Sequence, residues 1–175
     1  MAELYLFTLV AIVESNSSPT DHERSYLVKE CLATLGIMAS STDHRLALSA
    51  TPLPLYLLSI SMSALSHLKL LKTTLSTLCN LCPPGSPTLT TLSTTPAFYQ
   101  LLYTLLDHEF LPMPILDCLL LLVLATTSCV ASQRNYLSGG KLIGRCLQLA
   151  AGQGSVLAVK VLRGVVGTEV TSKGV

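Results

Sequence analysis

A leucine stripe at helical spacing runs for about six turns through the middle of the chain. Leu57, Ala64, Leu68, Leu71, Leu75 and Leu78 fall on one side at about 100° per residue. Ser59, Ser63, Ser66, Thr73 and Thr77 fall on the other side. The pattern predicts one amphipathic helix over 55–80, too polar on one face for a simple lipid span. Hard proline punctuation and leucine-rich helical runs repeat on both sides of it.

Half of the 175 residues are hydrophobic and only 12% are charged. Soluble domains usually carry about a quarter charged residues. A Leu-rich chain this poor in charge buries more than one face of its helices, lies in a membrane, or leans on a partner. Trp is absent, so the expected core is aliphatic. Net charge is +1, but it is unevenly spread. Residues 1–132 carry five basic and nine acidic side chains, and residues 133–175 carry six basic and one acidic. The basic residues of the tail (Arg134, Lys141, Arg145, Lys160, Arg163, Lys173) form no compact cluster. They read as solvated charges, and direct nucleic-acid contact is not expected.

Along the chain, 2–14 predicts a first helix, apolar nearly all round. Ser18-Pro19-Thr20-Asp21 predicts the start of a second, with Thr20 and Glu23 offering a capping box in a shifted frame. Leu27, Cys31, Leu35 and Met38 mark its expected buried face, and His22, Ser25 and Lys29 its wet side. Arg24 falls on the buried side in the first turn, where a long side chain reaches water. Gly36 weakens this helix slightly. Thr42 to Ala50 predicts a short helix or turn, and Pro52 and Pro54 bar continuation. After the leucine helix, Cys82-Pro83-Pro84-Gly85-Ser86-Pro87 is a stop and loop. Thr95-Pro96 opens a helix to about Asp107 with Phe98, Leu102 and Leu105 inward. Pro112 and Pro114 precede another, Ile115 to Ser132, whose centre, Leu119 to Ala125, is apolar all round. Lys141 to Ala151 predicts a helix, and Val156 to Val166 fits a helix or a strand.

All nine prolines lie at or before residue 114, and eight of the ten glycines lie at or after residue 139. We expect a helical repeat domain over 1–138 and a Gly-rich, basic, partly flexible helix and tail over 139–175. The shift suggests a splice-derived or truncated end that caps poorly, more open to proteolysis than the leucine helix.

Helices of ten to twenty-five residues joined by short Pro-rich loops predict an all-α fold of antiparallel helix pairs with strand content near zero. The pairs start roughly thirty to forty-five residues apart, and by that rhythm residues 2–150 resemble an armadillo/HEAT-like α-solenoid. The Leu/Ser/Thr-rich, charge-poor helices also resemble those of the meiosis inhibitor protein 1 family, large armadillo-like proteins linked to meiotic DNA-break formation. The chain is far shorter than that family, and no functional residue carries over. The resemblance implies a place in meiotic DNA-break formation.

No motif supplies chemistry. Cys79-Asn80-Leu81-Cys82 is a CxxC at a helix C-terminus, where the dipole has the wrong sign for a reactive thiol. No further ligands lie at zinc spacing. Cys31, Cys79, Cys118, Cys129 and Cys146 lie in helical patterns and Cys82 ends one. They read as small hydrophobes and reduced thiols of a cytoplasmic or nuclear protein. His22, His44, His67 and His108 are scattered. Asp43-His44 and Asp107-His108 are neighbours that a helix turns about 100° apart. Ser138-Gly139-Gly140-Lys141-Leu142 misses the phosphate-loop pattern at Asn135 and Leu142. Gly152-Gln153-Gly154-Ser155 reads as a helix C-cap and turn, and Asp117 as an acid in a first helical turn. Asn16-Ser17-Ser18 is a chance sequon, and Leu4 to Val13 has no basic residue before it, as a signal peptide requires.

The expected catalytic, cofactor and metal residues are therefore none. The expected function is non-enzymatic: a helical-repeat scaffold for protein–protein interaction, with a protein partner or self-association and no small-molecule substrate. The alternative is a multi-pass membrane protein. Leu46 to Leu68 and Thr73 to Leu106 hold no Lys, Arg, Asp or Glu, and Ile115 to Ser132 holds only Asp117. Prolines and serines interrupt the first two.

Overall fold

Periodic leucine-rich runs between prolines leave the backbone little choice but helix. Every described element in the computed structural model is an α-helix. The structure describes residues 2–15, 22–108, 110–129 and 140–166. The expected starts at Asn16 to Asp21, the stretch 130–139 and the last nine residues lie outside them. So do the side chains of His22, Glu23, Arg24, Ser25 and Cys129. The chain divides into two compact units, Met1–Leu92 and Ser93–Val175. The composition shift at 138/139 falls inside the second unit.

The first unit holds α1 (Ala2–Ser15), α2 (His22–Met38), α3 (Thr42–Ser49), α4 (Leu53–Ser63) and α5 (Leu68–Leu81). α1 packs on α2 and α4 packs on α5. The two pairs also meet, α1 on α4 and α2 on α5, with the short α3 against α4 and α5. α3 and α4 meet at 81°. Pro52 is the N-cap of α4 and Pro54 lies in its first turn, which ends the α3 hydrogen-bond ladder as the sequence requires.

The leucine stripe is two helices, not one over 55–80. Ala64 and His67 leave helical geometry, and α5 begins at Leu68. Ser63 Oγ lies 3.1 Å from both the Ser59 and Ile60 carbonyl oxygens, competing for acceptors at the last turn of α4. The break lets α4 and α5 pack on each other, which a straight helix cannot do. It also rotates the buried face. Leu71, Leu75 and Leu78 are buried as the stripe predicts, but Leu68 is 40% exposed, while Leu70, Thr74, Thr77 and Leu81 are buried. The buried face of α2 is Val28, Cys31, Leu32 and Leu35; Leu27 is exposed and Met38 half-buried.

α6 (Pro87–Ser93) falls where the sequence reading has only a loop. Its signal was present: Ser86 Oγ accepts from Leu89 N at 3.2 Å, with Pro87 at the first helical position.

The second unit holds α7 (Pro96–Asp107), α8 (Met113–Cys129), α9 (Gly140–Gln153) and α10 (Val156–Val166). Thr95 is extended and Pro96 sits in the first turn of α7, whose Phe98, Leu102 and Leu105 are buried as expected. In α8, Leu119, Leu120, Leu122, Val123 and Ala125 are buried, but Leu121 is exposed. Val156–Val166 is helical. Gly154 takes φ +64°, and Ser155 N donates to Leu149 O at 3.2 Å, the expected close of α9. Ser155 Oγ then accepts from Ala158 N at 3.3 Å and caps α10. α7 packs on α8 and α9 on α10, with α9 against α7 and α10 against α8.

No single described helix is long and apolar enough to cross a membrane. The window Leu46 to Leu68 is broken by the α3–α4 bend and by the turn after α4.

Candidate functional site

Thr77, expected on the wet face of the leucine helix, is buried because of Gly36. The missing side chain at Gly36 lets α2 and α5 approach until a Cβ placed there would lie 2.9 Å from Thr77 Oγ1. That hydroxyl lies 2.9 Å from the Leu32 and Thr73 carbonyl oxygens and shares its hydrogen between them. One turn on, Asn80 Nδ2 donates to Gly36 O at 2.9 Å. Leu32 meets Thr77 and Gly36 meets Asn80, so the contact advances the same way along both helices. Here α2 and α5 run in the same sense.

Beside this seam lies an open groove of about 510 Å³, lined by Gly36, Ile37, Ser40, Lys72, Ser76 and Asn80 among others. Ile37 is 75% exposed on its rim. Lys72 is its one charged lining residue among those described. Groups of donors, acceptors and one exposed apolar side chain can hold a peptide-like surface. A smaller cleft of about 120 Å³ lies between Ser49, Thr51, Pro54 and Leu55 on one side and Thr88 and Leu92 on the other. Thr88 Oγ1 donates to Ser49 Oγ at 2.6 Å across it.

The motif residues stay apart. Cys82 closes the C-terminus of α5, its N–H donating to Leu78 O and Cys79 O. Burial pushes its thiol up to about 12, and burial pushes Cys146 up to about 11 and Cys31 upward. These are protonated core thiols, the reverse of an activated pair. His44 lies in α3, His67 caps α5 and His108 ends α7. Lys141 lies in the first turn of α9 and donates to Asp107 Oδ2 at 3.0 Å, both exposed. Arg145 Nη2 reaches the His108 carbonyl oxygen at 3.5 Å. Among the described residues, no three His, Cys, Asp or Glu side chains are grouped to hold a metal ion.

The groove was not legible on either helix alone, because it needs Gly36 and Thr77 to meet across a long stretch of chain. A glycine inside a predicted helix was the available signal. No family model, curated protein or solved structure matches this chain.

Proposed function

We propose that the chain is a non-enzymatic helical-repeat scaffold of armadillo/HEAT type that binds another protein. The observation that carries this reading is the pairing of like with like. In the first unit α1 lies on α4 and α2 on α5; in the second α7 lies on α9 and α8 on α10. Stacked repeats require this, since each helix then packs on its counterpart in the next repeat. The common sense of α2 and α5 supports it, and so does the short α3 before the α4–α5 pair. The α2–α5 groove is the binding face we assign, with Ile37 as its apolar anchor. The meiotic role rests on the resemblance alone.

Affinity capture with the tagged chain tests the reading. A partner protein retained by the unaltered chain and lost with Ile37→Glu, at unchanged helical circular dichroism, is the expected result. An identical set of captured proteins with both chains would reject the groove as the binding face.

The multi-pass membrane reading draws on one observation: α3 and α4 together are long and apolar enough, although bent. Detergent-free fractionation separates the two. Recovery only with membranes, and release only by detergent, would replace the scaffold reading.

A further inference from the structure

The α2–α5 groove carries cations that no described carboxylate answers. Lys72 lines it, and Lys69 lies one turn before Thr73 on the same side of α5. Both lysines are exposed, and among the described residues neither stands in an ion pair. Arg45 of α3 brings a third cation to the opposite end, where Ser40 lines the groove. Its Nε and Nη2 donate to the Ala39 and Ser40 carbonyl oxygens at 3.2 and 3.3 Å, which are uncharged partners. The described carboxylates of this unit are placed elsewhere. Glu30 pairs with Lys29 at 2.9 Å, Glu14 accepts from the Tyr56 hydroxyl, and Asp43 lies in the first turn of α3. None of them lines the groove.

The helix register sets a spacing along the groove. Gly36 meets Asn80, so Ile37 lies close to the level of Asn80. Lys72 comes two turns earlier on α5, about 12 Å along the axis at 1.5 Å per residue. An extended chain covers that distance in about three or four residues at roughly 3.3 Å each. A groove of about 510 Å³ spread over that length is narrower than the roughly 10–12 Å breadth of an α-helix. We infer that the groove takes an extended acidic segment of another protein. Its carboxylate lies at Lys72, and an aliphatic side chain about three or four residues away packs on Ile37. Ile37 favours a protein segment over a nucleic-acid backbone, which offers phosphates but no aliphatic side chain to cover it. The inference rests on the assignment of this groove as the binding face and adds the chemistry of its occupant.

Selection of random twelve-residue peptides, displayed on phage, by the immobilised full chain tests it. The selected peptides are expected to carry Asp or Glu three or four residues from Leu, Ile, Val or Met. Ile37→Glu, at unchanged helical circular dichroism, is expected to select none of them. Lys72→Glu is expected to weaken a synthetic copy of the leading peptide about tenfold in fluorescence anisotropy. A copy of that peptide with Lys in place of its acid is expected to recover the loss. Lys72→Gln removes the cation without adding a carboxylate, and it keeps the test decisive where Lys72→Glu loses its helices. Peptides selected without an acidic bias, or the same bias with Lys72→Gln, would overturn the acidic segment and leave the groove as the binding face. No enrichment over a bare surface would overturn the extended segment. The same peptides selected by Ile37→Glu would overturn the groove itself along with the inference.

Discussion

At the scale of single residues, Gly36 and Thr77 decide how closely α2 meets α5. Ala is a better helix former than Gly by about 1 kcal/mol. At Gly36 that gain meets a Thr77 hydroxyl 2.9 Å from the new Cβ, and two carbonyl groups hold that hydroxyl in place. Overpacking costs about 1–3 kcal/mol, which meets or exceeds that gain, so Gly36→Ala is expected to destabilise by up to about 2 kcal/mol. Gly144 is exposed in α9, with nothing within 4 Å of an added Cβ. Gly144→Ala is expected to stabilise by about 0.5–1 kcal/mol. Urea denaturation of the two variants checks both signs, and a stabilising Gly36→Ala would show that the helices do not approach this closely.

The buried thiols set a pH dependence. Cys82 ionises at about 12 in the folded chain, above the ordinary 9.0 of an exposed thiol. Between these values the unfolded chain loses the proton and the folded chain keeps it. Stability is therefore full below about pH 9 and falls as pH rises, by up to about 1.4 kcal/mol per pH unit for this group. The urea midpoint is expected to drop from pH 9 to pH 11, less steeply in Cys82→Ala. Equal slopes in the two proteins would contradict the burial of Cys82.

At the scale of elements, helix existence was readable and helix pairing was not. Leucines at i, i+3 and i+4, together with prolines at Pro52, Pro54, Pro96, Pro112 and Pro114, locate most helices because these signals are local. The break at Ala64–His67 was hidden, because the stripe stays in phase across it on a helical wheel. The tertiary gain of folding α5 back against α4 overrides that phase. Thr77 was misread for a related reason. A threonine opposite leucines looks wet until a glycine on another helix supplies both space and a carbonyl partner. For the candidate groove, the residues were in view but their meeting was not. The consequence is measurable at two leucines of one stripe. Leu75→Ala removes a fully buried side chain and is expected to cost about 2–5 kcal/mol. Leu68→Ala removes a partly exposed one and is expected to cost under about 1 kcal/mol. Equal losses in denaturation would restore the single-helix reading of 55–80.

At the scale of the whole molecule, like-with-like helix pairing within each unit carries the functional proposal. A surface of paired helices offers binding faces, and the charge-poor composition is met by a largely aliphatic core in both units. The most direct test is whether α2 and α5 lie side by side in the same sense, as stacked repeats need and as neighbours in a simple antiparallel bundle do not. Spin labels at position 37 paired with position 80, and at position 37 paired with position 69, report that direction by pulsed electron resonance. Positions 69 and 80 lie about 16 Å apart along the helix at 1.5 Å per residue. The account predicts the shorter distance for 37 with 80, where Ile37 and Asn80 share one groove. The shorter distance for 37 with 69 would reverse α2 against α5 and contradict the repeat architecture on which the scaffold reading stands.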